Sequence, residues 1–134
     1  MLKIEKSIFL TKPIIGIVGR KLDNIYKTNI NLIKKVKKSG GIPIIILPCD
    51  NLKEVLNLCD GIIMPGGNTI YPYDKYICKY CIKNDKPILG ICLGMQIMAD
   101  KLECTKNNHQ GINHEIIIKK GSLEKCYCCV HENG

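Results

Sequence analysis

Lys86-Pro87-Ile88-Leu89-Gly90-Ile91-Cys92-Leu93-Gly94-Met95-Gln96 reads as a short buried strand that runs into a glycine-flanked turn and then a helix, with a cysteine at the apex. The G-x-C-x-G pattern puts Cys92 where strand-to-helix turns of the G-x-S-x-G type present a nucleophile. The flanking residues have to be small there because neighbouring backbone passes close to them. A helix that starts directly after a cysteine favours the thiolate, the reactive form of the side chain. The N–H of the next residue, Leu93, can face a developing oxyanion. A plain buried thiol is the other reading of Cys92, and it leaves Gly90 and Gly94 without a purpose.

Outward from this turn, apolar runs of strand length alternate with segments of helical period. Pro13-Ile14-Ile15-Gly16-Ile17-Val18-Gly19 predicts a first strand buried on both faces. Tyr26, Ile30, Ile33 and Val36 fall at helical spacing with lysines opposite, which predicts a helix ending at Ser39-Gly40-Gly41. A second strand is predicted over Ile42 to Leu47, with Pro43 near its start. Asp50 can cap a short helix through Leu58, on which Leu52, Val55, Leu56 and Cys59 share a face. Gly61-Ile62-Ile63-Met64 is a third strand, opening into the special turn Pro65-Gly66-Gly67-Asn68. Helices from about Tyr73 to Lys83 and from Leu93 to about Lys101 bracket the fourth strand, Pro87 to Ile91. Such alternation predicts βαβ units in a three-layer α/β/α fold around a mainly parallel, doubly wound sheet, with sites at the carboxyl ends of strands. Both glycine-rich turns fall at such ends. Farther on, His114 to Ile118 reads as one more strand, and Leu123 to Gly134 shows no period.

Composition narrows the classes. The 134 residues suit one domain, and the net charge of +8 comes from lysine, with Arg20 the single arginine. Neither arginines nor aromatic side chains cluster with that charge, so nucleic acid is not an expected partner. Lys34, Lys35, Lys37 and Lys38 read as a solvated helix face. No apolar run approaches the roughly 18 residues of a membrane span, and Ile8-Phe9-Leu10 is too short for a signal-peptide core, so a cytoplasmic protein without a membrane partner is expected. The nine cysteines are odd in number and scattered singly before residue 100, which suits reduced thiols used as small apolar side chains. Cys126, Cys128, Cys129 and His131 do not read as a zinc site, no phosphate loop is present, and no metal or cofactor is expected.

Taken together, Pro13 to Ile17, Gly40-Gly41-Ile42-Pro43, Cys59 to Gly67, Lys86 to Gln96, Asn108-His109-Gln110 and His114 to Ile118 with Gly121-Ser122 resemble class I glutamine amidotransferase-like domains. They are most similar to the γ-glutamyl-γ-aminobutyrate hydrolase branch, the peptidase C26 group. The resemblance covers roughly Lys12 to Leu123, giving residues 1–123 as part of a flavodoxin-like domain and residues 124–134 as a divergent cysteine-rich tail. It implies that Cys92 attacks a γ-glutamyl amide, that Gly66 and Gly67 with Leu93 supply oxyanion-hole amides, that Gln96 helps hold the glutamyl group, and that a small-molecule γ-glutamyl compound is the substrate. Members of that family also carry a His-x-Glu pair after a late strand, in which the histidine is the base. Here His109, His114 and His131 all lack a carboxylate two residues later. The chain therefore reads as the first part of a longer domain, its sheet incomplete at the C-terminal end and its open edge available for self-association. Two functions follow: a cysteine-dependent γ-glutamyl amidohydrolase working through a Cys92 thioester, or an inactive remnant or interaction module of the same fold.

Overall fold

The computed structural model describes residues 12–101. The predicted strand at 114–118, the three histidines and the tail from residue 124 lie outside the described residues. In chain order the elements are β1 (Ile14–Val18), β2 (Arg20–Leu22), β3 (Ile25–Lys27), α1 (Ile30–Lys38), β4 (Ile42–Ile46), α2 (Leu52–Leu58), β5 (Gly61–Met64), α3 (Pro72–Lys83), β6 (Ile88–Gly90) and α4 (Leu93–Lys101).

Four of these strands pair in parallel in the order β4-β1-β5-β6. The chain runs from β1 outward to β4, then returns past β1 to β5 and continues to β6, which is the reversal of a doubly wound, flavodoxin-like sheet. Right-handed crossovers put α1 on one face and α2 and α3 on the other, where α4 packs beside α3 with Leu93 and Ile97 in the same core. Side-chain alternation agrees with this. On β1, a Cβ at Gly16 would lie 2.8 Å from the Cys59 thiol at the end of α2. Ile15, pointing the opposite way, shares a contact zone with Val36 of α1, since a Cβ at Gly41 would sit 3.0 Å from Val36 and 3.1 Å from Ile15. The main core lies under α2 to α4, where Val18, Ile46, Leu56, Ile62, Met64, Ile77, Cys78, Cys81, Leu93 and Ile97 are buried together.

On the other face Ile45, Ile17, Ile63 and Leu89 stand in register across the four strands. Ile17 at the centre is fully buried, whereas Ile45 and Leu89 on the outer strands are 49% and 52% exposed. Among the described residues β6 is thus an outer strand with an apolar side chain facing out, and β4, carrying Pro43, is the other, a position proline tolerates. Lys34, Lys35, Lys37 and Lys38 are exposed along α1, as the pattern predicts, and Lys35, Lys37 and Lys38 in its last turn complement the helix dipole.

One segment differs from its sequence reading. Tyr26 lies in a hairpin, not on a helix: β2 and β3 pair antiparallel, Arg20 opposite Lys27 and Leu22 opposite Ile25, with Asp23 turning the chain at φ +52°. The four-residue interval from Tyr26 to Ile30 imitates helical spacing. The helix nevertheless starts at Ile30, because the Asn29 side chain accepts the Asn31 N–H at 2.8 Å and caps it. Asp50 is likewise displaced from its predicted role: Asn51 holds the N-cap position of α2, and no side chain caps it. The other end of α2 is held by Lys86, whose ammonium donates to the carbonyls of Leu56 at 3.0 Å and Cys59 at 2.5 Å.

Candidate active site

The turn after β6 is strained at its apex and closed around its flanks. Cys92 has φ +54°, a left-handed conformation that costs a non-glycine residue roughly 1–2 kcal/mol. The flanking glycines are required by packing. A Cβ on Gly90 would lie 2.6 Å from the Met95 nitrogen, and one on Gly94 would fall on the Met64 carbonyl oxygen. The strand, the turn and the first turn of α4 therefore fold onto one another and onto β5. Ile91 N–H donates to Met64 O at 2.9 Å, Gly94 N–H to Ile91 O at 3.0 Å, and Gln96 N–H to Cys92 O at 3.1 Å. Leu93 opens α4, so its N–H belongs to the first turn, which has no internal acceptors.

The Pro65-Gly66-Gly67 loop at the end of β5 passes beside the thiol. A Cβ on Gly66 would sit 3.4 Å from the Cys92 Cβ and 3.9 Å from its sulfur, and one on Gly67 would sit 3.3 Å from the Leu93 side chain. Cys92, Gly66, Gly67 and Leu93 are thus brought together at the carboxyl ends of β5 and β6. This lies next to the point between β1 and β5 where strand order reverses and where sheets of this kind bind ligands. Gln96 lies on the next turn of α4 and is half-buried.

Two residues of this site carried no functional reading in the sequence. Arg20, at the start of β2, is buried and paired with the fully buried Asp74 on α3. It also donates to Pro65 O at 2.6 Å and to Gly66 O at 3.3 Å. The second Asp74 oxygen accepts the Tyr71 N–H at 2.9 Å, which fixes the start of α3. The local signals were slight: one arginine in a lysine-rich chain, directly after the glycine that ends the first strand. Next to the pair, Tyr73 donates to Gly19 O at 3.2 Å, and burial, followed by the adjacent Asp74 carboxylate, pushes its phenol pKa up.

A groove of about 810 Å³ runs between the β2–β3 hairpin and the Pro65 loop, with Lys21, Lys27, Gly66 and Ile91 on its walls. Thr28 lines it too, and its hydroxyl is buried without a partner among the described residues. Three other cysteines pack as core side chains. Cys59, Cys78 and Cys81 are buried in the core, and burial, reinforced by Cys78, pushes the Cys81 thiol up to about 11. Among the described residues no group of three or more His, Cys, Asp or Glu side chains is placed to hold a metal ion, and no helix is long and apolar enough to cross a membrane.

A parallel α/β sheet with a cysteine at a glycine-flanked strand-to-helix turn defines the elbow class of α/β domains. Residues 21–132 match the model of the glutamine amidotransferase class-I family, and the chain belongs to that family. It is 38% identical over 120 residues to a CTP synthase of Thermosipho africanus, covering 81% of this chain and 22% of the relative. It is 29% identical over 119 residues to the imidazole glycerol phosphate synthase subunit hisH of Cyanophora paradoxa, covering 83% of this chain and 49% of the relative. The chain thus spans about a fifth and about half of the length of these two relatives. The solved glutaminase domain of the Trypanosoma brucei CTPS, with bound acivicin, superposes with a TM-score of 0.50 at 21% identity, over 69% of this chain and 40% of that one, which supports the fold.

Proposed function

We propose that this chain carries the amide-cleaving chemistry of its family, with Cys92 as nucleophile and glutamine, or another γ-glutamyl amide, as substrate. The observation that carries the reading is the Cys92 turn, strained at φ +54° and wedged between two glycines that cannot bear a side chain, with Gly66 at contact distance. In this reading the Cys92 thiolate attacks the amide carbon. A C–S bond forms as the carbonyl π pair moves onto oxygen, where the amides of Gly66, Gly67 and Leu93 stabilise it. Collapse breaks the C–N bond and the amine or ammonia leaves with a proton drawn from solvent; water then adds to the thioester carbon, and the C–S bond breaks to release glutamate and return the Cys92 sulfur as thiolate. Gln96 helps hold the glutamyl group. The family to which the chain belongs favours glutamine over the γ-glutamyl-γ-aminobutyrate compounds that the narrower resemblance implies. The small-molecule substrate and self-association through the outer strand β6 belong to the same proposal.

A second reading is a domain of the same fold without turnover, and the reactivity of the thiol separates the two. A thiolate is intrinsically reactive, so acylation reports the thiol and its pocket apart from turnover. Incubating the purified chain with a glutamine-mimicking electrophile and reading its intact mass separates the readings, with Cys92→Ser as control. A single adduct, absent from the control, is expected. No adduct, or adducts spread over the nine thiols, would retire the enzymatic reading.

A further inference from the structure

We infer that Arg20 is the positioning residue of the oxyanion loop: by holding the carbonyls of Pro65 and Gly66 on one side, it turns the N–H groups of Gly66 and Gly67 together toward Cys92. This rests on the function proposed above and extends it to a residue outside the thiol turn.

The geometry of the peptide group ties the direction of each carbonyl to that of the next N–H. The described backbone has no cis peptide bonds, and in a trans peptide the C=O and N–H point in opposite directions. Arg20 takes Pro65 O at 2.6 Å, which turns the Gly66 N–H away from the guanidinium, and takes Gly66 O at 3.3 Å, which does the same to the Gly67 N–H. Along an extended strand successive carbonyls point to opposite sides, so capture of two in a row by one side chain imposes a different conformation. Two successive N–H groups face the same way, the arrangement by which backbone amides bind an anion. Cys92 is the loop's neighbour at Gly66, where a Cβ would sit 3.4 Å from the Cys92 Cβ and 3.9 Å from its sulfur.

Arginine suits this position because its planar fork can serve two carbonyls and a carboxylate at once, which an ammonium on a flexible stem cannot do in fixed geometry. Asp74 sets the orientation of the fork from the opposite side. It is fully buried, pairs with Arg20 through one oxygen and is anchored through the other by the Tyr71 N–H. The loop is therefore referenced to the start of α3 and to the hairpin, and not to the thiol turn itself.

The test uses Arg20→Lys, which keeps the charge opposite Asp74, and Asp74→Asn, which keeps the shape, in the full chain. L-γ-glutamyl-p-nitroanilide serves as substrate, and acylation is read as the first burst of released p-nitroaniline. Loss of one oxyanion donor costs about 10²–10³-fold in rate. Arg20→Lys is expected to slow acylation at saturating substrate about 100-fold, and Asp74→Asn about 10-fold. Alkylation of Cys92 by iodoacetamide, which develops no oxyanion, stays unchanged. In ¹⁵N–¹H spectra the Gly66 and Gly67 amides of both variants are expected to shift and broaden while those of β1 and β4 hold still. Acylation at the wild-type rate in Arg20→Lys, or Gly66 and Gly67 amides that do not move, would overturn the inference and leave the proposed function standing. If the wild-type chain is not acylated while the two amides move as expected, the functional reading fails and Arg20 remains the residue that sets the loop.

Discussion

Cys81 and Cys92 sit in one small domain under opposite conditions. Cys81 lies on α3 with no exposure at all, facing the core with Ile77 and Cys78, and burial holds its thiol protonated to about pH 11. Cys92 is half-buried on a backbone conformation that costs energy, beside a glycine loop. The same contrast separates the two regions to which they belong. The face under α2 to α4 is built of interchangeable apolar volume, in which a thiol is one more small side chain. The carboxyl end of the sheet carries a positive-φ cysteine, glycines that touch backbone and a buried ion pair, features that lower stability or specify geometry. Stability resides in the first region, and the second spends part of it on shape.

The carboxyl end of the sheet is most vulnerable at Gly94. Its missing Cβ is what lets α4 start against β5, since a methyl there would overlap the Met64 carbonyl. Backbone cannot step aside as a side chain does, so Gly94→Ala is expected to cost about 3 kcal/mol in urea unfolding, at the upper end of overpacking penalties. It should also abolish selective labelling of Cys92. A loss below about 1 kcal/mol would show the turn to be pliable and its glycines dispensable.

The core region gives the next largest effect, through pH. Cys81 titrates at about 11 folded against an ordinary value of 9.0, so the unfolded chain releases this proton first. Above pH 9 the unfolded state binds fewer protons than the native state, and stability falls as pH rises. The sign is opposite to that of a salt-bridged carboxylate, and the loss reaches about 2 kcal/mol near pH 11. Tyr73, whose phenol is also raised, adds a fall of the same sign at higher pH. Cys81→Ala should flatten the curve of urea midpoint against pH between 9 and 11. An unchanged slope would mean that the thiol is not held protonated by burial.

The contrast also explains what could be read from the sequence. The thiol turn was legible because its constraints are local: Gly90, Cys92 and Gly94 act on one another and on the adjacent strand. The four parallel strands were legible because strands buried on both faces are continuous apolar runs. The match to the glutamine amidotransferase class-I family, over residues 21–132, takes in the thiol turn and three of these strands, β4, β5 and β6. The hairpin at residues 20–27 was hidden because Tyr26 continues the spacing of α1 backward by one turn. The Asp23-Asn24 pair, a turn signal between two three-residue strands, was the cue against it. Arg20 and Asp74 stayed silent for another reason. They meet across 54 positions of chain, and no pattern at either end reports the other. The hold on the Pro65-Gly66-Gly67 loop comes from this long-range pair, so it appears only when the fold brings β2 and α3 together.

The smallest effect is the most discriminating, because at Cys92 the two regions' rules oppose each other. In the packed core, trimming a thiol to hydrogen creates a cavity and destabilises. At φ +54° glycine instead relieves roughly 1–2 kcal/mol of left-handed strain, and about half of that is returned as backbone entropy in the unfolded chain. Cys92→Gly is therefore expected to be more stable than Cys92→Ala by about 0.5–1 kcal/mol in urea midpoints, since the alanine variant lacks the thiol but keeps the strained Cβ. Neither variant should be acylated. If Cys92→Ala were the more stable, the turn would not be strained by its side chain, and the case that this position sacrifices stability to present a nucleophile would lose its physical basis.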